Sequence, residues 1–171
     1  MADFNLDGLD DVVYSEPEYS TQTITNNGRV SIHYSSQTGV SSVANLTWEG
    51  VSNNEMLGQG LSVGDYNGDG ILDIAIGSPG ANNNDGLVQF AFGTQQGISQ
   101  TLVQIAGIST PVVSGDKYGY CLETVDDLNE DGYDEILICS IDYEQSSDTG
   151  KVELFFGNDV GQTWIKMNSP D

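Results

Sequence analysis

The side chains best placed to do chemistry are oxygen donors at alternate positions of a nine-residue stretch, Asp65-Tyr66-Asn67-Gly68-Asp69-Gly70-Ile71-Leu72-Asp73. The pattern recurs at residues 3–11 and 127–135, and the three copies begin 62 residues apart. Positions 1, 3 and 5 are Asp3, Asn5 and Asp7 in the first copy, Asp65, Asn67 and Asp69 in the second, and Asp127, Asn129 and Asp131 in the third. Position 9 is Asp11, Asp73 or Glu135. Carboxylate and amide oxygens are hard ligands, the kind that suits Ca²⁺. Two-residue spacing lets a tightly wound loop aim successive side chains at one point. Position 6 is always glycine (Gly8, Gly70, Gly132), where a sharp turn calls for positive φ. Position 7 (Leu9, Ile71, Tyr133) has no useful side-chain oxygen, so its backbone carbonyl is the expected ligand. No His or Cys lies in any copy, which argues against zinc and copper. Magnesium prefers fewer protein ligands and more water. Three Ca²⁺ sites are therefore expected. They are expected to act as independent cages, so that loss of Asp69 weakens one site and spares the outer two.

An EF-hand would need a bidentate Glu at position 12. That position is Tyr14, Ile76 or Ile138, each in an apolar run with strand character rather than on an exiting helix. The loops must instead join strands.

The chain has 171 residues and a formal net charge of −22, with only four Lys or Arg. That balance disfavours nucleic acid and anionic membrane as partners. Only nine of the 26 acidic residues fall at predicted ligand positions, so ion binding alone does not account for the acidity. A salty or extracellular setting, or solubility, is the expected reason for the rest. No apolar run is long enough to span a membrane, and no signal peptide is visible at Met1. Met1-Ala2 runs almost straight into the first loop, as in a cut or mature fragment. Cys121 and Cys139 flank the third loop on two strands expected to pair, which leaves free core thiols or a cross-strand bridge open. Asn45-Leu46-Thr47 is a glycosylation sequon of little weight. His33, the sole histidine, lies on an alternating strand and is read as structural.

The elements around the loops repeat. Short apolar strands are expected at residues 11–14, 29–34 and 43–48, then at 57–63, 71–76, 87–93 and 101–106, then at 118–125, 135–139, 150–157 and 164–167. Alternation at residues 29–34 marks a half-buried strand. No segment has a helical period. Four short strands per repeat of about sixty residues is the pattern of a β-propeller blade. The fold class is thus all-β, with propeller blades of four antiparallel strands. The chain, 1–171, is one domain of three blades at about 1–56, 57–113 and 114–171. The first blade lacks its entering strand.

The unit resembles the FG-GAP repeats of integrin α-subunit β-propellers. Leu57-Gly58 and Tyr118-Gly119 stand where that family has Phe-Gly, and Gly77-Ser78-Pro79 stands for Gly-Ala-Pro. The loop pattern is similar to the family's calcium loop. Copies one and three depart, with Ser15-Glu16-Pro17 and Ser140-Ile141-Asp142 in place of Gly-Ala-Pro, and three units stand where integrin-like propellers have seven. The resemblance implies Ca²⁺ at the hairpin joining the first two strands of each blade. It also implies an extracellular or cell-surface adhesive role.

A three-blade arc leaves apolar faces and strand edges exposed. Two closures are expected: the chain is a segment of a longer propeller, or copies assemble as a homo-oligomer that completes a ring. The expected function is a calcium-stabilised, non-catalytic interaction module whose partner, a protein or a glycan, docks on a propeller face. The alternatives are a lectin-like propeller, with Trp48, Trp164 and tyrosines stacking on sugar, and a non-catalytic segment of a secreted hydrolase. Catalysis by this chain is not expected, since no Ser/His/Asp set is visible and the paired carboxylates are committed to the loops.

Overall fold

The computed structural model describes residues 2–104, 115–143, 149–158 and 165–166. Strands dominate it. They are β1 (Val12–Glu16), β2 (Arg29–His33), β3 (Ser35–Ser36), β4 (Gly39–Val40), β5 (Leu46–Glu49), β6 (Gly60–Gly64), β7 (Asp73–Gly77), β8 (Val88–Ala91), β9 (Cys121–Val125), β10 (Glu135–Tyr143), β11 (Thr149–Phe156) and β12 (Ile165–Lys166). Among the described residues the one helical element, α1 (Ala81–Asn84), is a single turn whose Asn82 and Asn83 have φ of 52° and 62°, outside right-handed helix. Runs of asparagine tolerate that region because the short amide bonds locally to the backbone.

The strands form three antiparallel meanders, one per repeat: β1-β2-β5, β6-β7-β8 and β9-β10-β11-β12. In the second, Phe90 pairs with Val103 through two backbone hydrogen bonds of 2.8 Å, at the place expected of a fourth strand. In the first, Ala2 pairs with Asp11 across the loop. The order and pairing match the expected blades, and the architecture is that of β-propeller blades. Some details differ from the sequence reading: the entering strands β6 and β9 begin three residues later than expected, at Gly60 and Cys121. β3 and β4 form a small extra hairpin, and β10 runs on to Tyr143 past a register shift after Ser140. The expected strand at 101–106 lies partly outside the described residues, as does Trp164.

Apolar faces meet between blades. Val30, Ile32, Trp48 and Leu57 pack with Ile74, Ile76 and Ala91 between the first and second meanders. Val88, Phe90 and Tyr66 pack with Leu122, Ile136, Ile138 and Phe155 between the second and third. Trp48 is 6 % exposed and donates its indole N–H to the Gln100 carbonyl at 2.8 Å, so it is core and not a sugar-stacking platform. Cys121 and Cys139 lie directly opposite on β9 and β10 and form a disulfide, so the cross-strand alternative holds.

Backbone meets backbone at each seam. Gly28 pairs in parallel with Leu57, and Gly86 with Tyr118. A Cβ at Gly86 would stand 2.2 Å from the Tyr118 carbonyl oxygen, and its φ is +90°. Gly39, at φ +118° in the exposed β3–β4 hairpin, has nothing within 4 Å of that position. Gly39→Ala should therefore cost about 1–3 kcal/mol for backbone conformation alone. Gly86→Ala should cost more, because the seam must also open. Urea denaturation of the two variants checks this, and equal losses would mean that the seam is not close-packed.

Candidate metal centre

Each loop winds on the same hydrogen-bond frame. In the second copy the Asp65 carboxylate accepts the Asp69 N–H at 3.1 Å and the Gly70 N–H at 2.8 Å. Asn67 Oδ1 accepts the Asp69 N–H at 3.0 Å, and Asp69 Oδ1 accepts the Ile71 N–H at 2.9 Å. The Asn67 amide donates to Asp69 Oδ2 at 3.2 Å. Asp3, Asn5 and Asp7 make the same bonds to Asp7, Gly8 and Leu9. Asp127, Asn129 and Asp131 make them to Asp131, Gly132 and Tyr133. Short acids and amides capture nearby N–H groups in this way, and the bonds turn the side-chain oxygens of positions 1, 3 and 5 into the loop. Position 6 has φ of 87°, 80° and 90° in the three copies, as the glycine requires.

The position-9 acid has a different placement. Asp11, Asp73 and Glu135 are 0 % exposed. Asp11 accepts the Phe4 N–H at 2.9 Å and the Ser35 N–H at 2.7 Å. Asp73 accepts the Tyr66 N–H at 3.1 Å and the Gly93 N–H at 2.7 Å. Glu135 accepts the Leu128 N–H at 2.6 Å. Its other oxygen, buried and without a hydrogen-bond partner, faces the region of the Gly157 amide. Asp11 and Asp73 thus tie the loop's second residue to the chain leaving the blade's third strand. The amides of Ser35, Gly93 and Gly157 carry no side-chain signature, so sequence reasoning missed them.

Among the described residues, no three His, Cys, Asp or Glu side chains converge as a ready-made cage. The loop brings together two carboxylates and one amide on its rim, with the third carboxylate drawn beneath. The donor set still fits a hard cation: it is all oxygen, each carboxylate oxygen bound to one N–H retains a lone pair, and Glu135 Oε1 is orphaned. The ion pairs Arg29–Glu16 and Lys151–Glu153 lie away from the loops. Asp3, Asn5, Asp7, the Leu9 carbonyl and Asp11 would hold an ion in the first loop. Asp65, Asn67, Asp69, the Ile71 carbonyl and Asp73 would do so in the second, and Asp127, Asn129, Asp131, the Tyr133 carbonyl and Glu135 in the third.

Burial pushes the Asp73 carboxyl up from 3.8 to about 7; the Gly93 and Tyr66 amides oppose the shift, and the Asp69 and Asp65 charges add to it. Burial also raises Glu135. Both shifts have the same leading cause, the cost of taking carboxylate charge out of water. His33 donates its Nδ1–H to the Ser41 carbonyl at 2.7 Å and stacks on Tyr14, a structural placement.

Residues 57–90 match the FG-GAP repeat family. The chain is 30% identical to integrin alpha-4 of Xenopus laevis over 80% of its length, and 30% identical to integrin alpha-6 of Gallus gallus over 82%. It is 37% identical to phosphatidylinositol-glycan-specific phospholipase D of Rattus norvegicus over 52% of its length. The chain spans only 11–13% of the length of these relatives.

A carboxyl whose folded pKa is raised contributes stability that is complete below its unfolded value and is lost as pH rises through the folded one. For Asp73 that window runs from 3.8 to about 7. In EDTA, the parent chain should lose stability relative to Asp73→Asn across that window, by more than about 1 kcal/mol. Urea melts at pH 4, 5.5 and 7.5 check it; a constant difference would show that Asp73 does not ionise in a buried site.

Proposed function

We propose that this FG-GAP-repeat chain, integrin α-like in sequence and built of β-propeller blades, is a calcium-stabilised, non-catalytic interaction module of an extracellular or cell-surface protein. The observation that carries this reading is the threefold loop frame: the same side-chain oxygens, turned inward by the same N–H donors, at three equivalent hairpins. Bound Ca²⁺ supplies positive charge that compensates the carboxylates of a loop. The protein's share is to present the oxygens, hold them against backbone donors and anchor each loop to its blade through the buried acid. An ion that binds only the folded chain stabilises it by mass action, roughly 1.4 kcal/mol per site at about ten times Kd. Extracellular modules of this ligand chemistry bind at about 10⁻⁴ to 10⁻³ M, so the loops would fill outside cells and stay largely empty within.

The partner, a protein or a glycan, would dock on loops of a propeller face, with the arc completed by the rest of a longer propeller or by further copies. One observation favours a second reading. The match to phosphatidylinositol-glycan-specific phospholipase D supports a non-catalytic propeller segment of a secreted hydrolase. Both readings share the loop chemistry and differ in the protein that carries it. Among the described residues, no helix is long and apolar enough to cross a membrane.

Calorimetric titration with CaCl₂ should give three ions per chain, and melting in millimolar Ca²⁺ should exceed melting in EDTA by several degrees, as expected for a few kcal/mol. Asp69→Ala should remove one ion from the stoichiometry. Coincident melting curves would rule out the stabilising role.

A further inference from the structure

The three loops share one internal frame but not one neighbourhood. Position 8 is Asp10 in the first loop, Leu72 in the second and Asp134 in the third. Leu72 packs into the apolar core that also holds Phe4 of the first loop. Asp134 instead crosses the seam to the second loop. Its Oδ2 accepts the Asp65 N–H at 2.8 Å, and its own N–H donates to the Asp65 carbonyl at 2.9 Å. Both main-chain polar groups of the second loop's first ligand are thus held from the neighbouring blade.

The contact continues on either side of this clasp. A Cβ at Gly68 would stand 2.7 Å from Tyr133 Cε1 and 2.9 Å from the Gly132 carbonyl oxygen, so the third loop lies flush on the second. Tyr66 and Ser62 each bring a hydroxyl to Thr124 Oγ1 at 2.6 Å, and that hydroxyl donates to the Val63 carbonyl at 2.8 Å. Thr124 leads into the third loop, and Tyr66 belongs to the second. Phe4, the counterpart of Tyr66 in the first loop, has no hydroxyl to offer.

We infer that Asp134 is a positioning residue that couples ion binding in the second and third loops, while the first loop binds on its own. Residues 133 and 135, which flank it, belong to the third loop's ligand set. Closing that loop around an ion fixes Asp134, and Asp134 fixes Asp65. Coupling of binding free energies is reciprocal, so ordering the second loop favours the third equally. Leu72 cannot accept an N–H, so the seam between the first and second loops has no equivalent clasp. This departs from the three independent cages expected from sequence. The inference rests on the calcium reading, and stoichiometry keeps the two separable.

The test is Ca²⁺ titration at physiological salt, which screens repulsion between exposed charges beyond about 8 Å. Asp7→Ala silences the first loop; the chain should then bind two ions with a Hill coefficient above about 1.3. Adding Asp131→Ala to silence the third loop should weaken the remaining ion about 5- to 20-fold relative to its affinity with the third loop intact. In an Asp69→Ala chain, the same Asp131→Ala change should leave the first loop's affinity within about twofold. Asp134→Leu in the Asp7→Ala chain should keep two ions and bring the Hill coefficient to one. Asp134→Asn, which retains an oxygen for the Asp65 N–H, should restore cooperativity, an outcome that general destabilisation would not produce. Three ions per parent chain with no cooperativity in Asp7→Ala would overturn the coupling and leave the calcium reading standing. No bound ion in the parent chain would overturn both. Should Asp134→Leu not fold, the affinity change on Asp131→Ala decides alone.

Discussion

A buried acid at the last position of each loop is the interaction on which the rest of this structure depends. Asp11, Asp73 and Glu135 sit at the head of a blade's second strand and accept the N–H of the loop's second residue. Asp11 and Asp73 also accept an N–H from the chain leaving the third strand. A side chain that bonds to both stretches of backbone sets where the hairpin ends and where the meander turns back. Isolated charge in such a place is costly. The raised pKa values of Asp73 and Glu135 express that cost. The same residue therefore organises the blade and creates the electrostatic demand that a cation would meet.

The blades are joined by contacts of a different kind. Their apolar faces interleave, and backbone also packs directly on backbone, as at Gly28 on Leu57 and Gly86 on Tyr118. Glycine at both seams lets the chains come within pairing distance, so adjacent blades are linked by hydrogen bonds as well as by burial. Repeat proteins of this type draw stability from nearest-neighbour interfaces. The two interfaces described here are not equal. The one between the second and third blades adds the Asp134 clasp and the Thr124 hydroxyl cluster to its apolar core. The other buries Trp48, Leu57 and Phe4 around aliphatic residues.

Charge and fold are linked through the loops. A chain of −22 carries concentrated acid at three hairpins, where successive carboxylates are never more than four residues apart. Backbone N–H groups soften this repulsion by directing partial positive charge at the oxygens, yet each N–H brings only a fraction of a charge. The sequence similarity to integrin α-subunits and to a phospholipase D places such repeats in larger proteins of differing chemistry, which agrees with a scaffold whose fold does not dictate its function.

Much of this was legible in the sequence because it is local. The spacing of Asp, Asn, Asp and Gly in the loops reads directly as a wound turn with inward oxygens, and the 62-residue period reads as a repeat. Strand identity followed from apolar runs between turn residues. His33 as structural was legible as well, from its place on an alternating strand. Other features were decided by tertiary structure, because they depend on residues far apart in the chain meeting. Ser35, Gly93 and Gly157 lie 20 to 24 residues beyond the acids they face, and an amide has no residue type to betray it. Cys121 and Cys139 became a disulfide only once β9 and β10 fell into a register that sets them opposite. Asp134 is 69 residues from the Asp65 amide that it holds, and it looks in sequence like one more solvated acid. Local spacing sets what each loop can bind; which loops touch is set by the packing of blade on blade, and no single repeat contains that information.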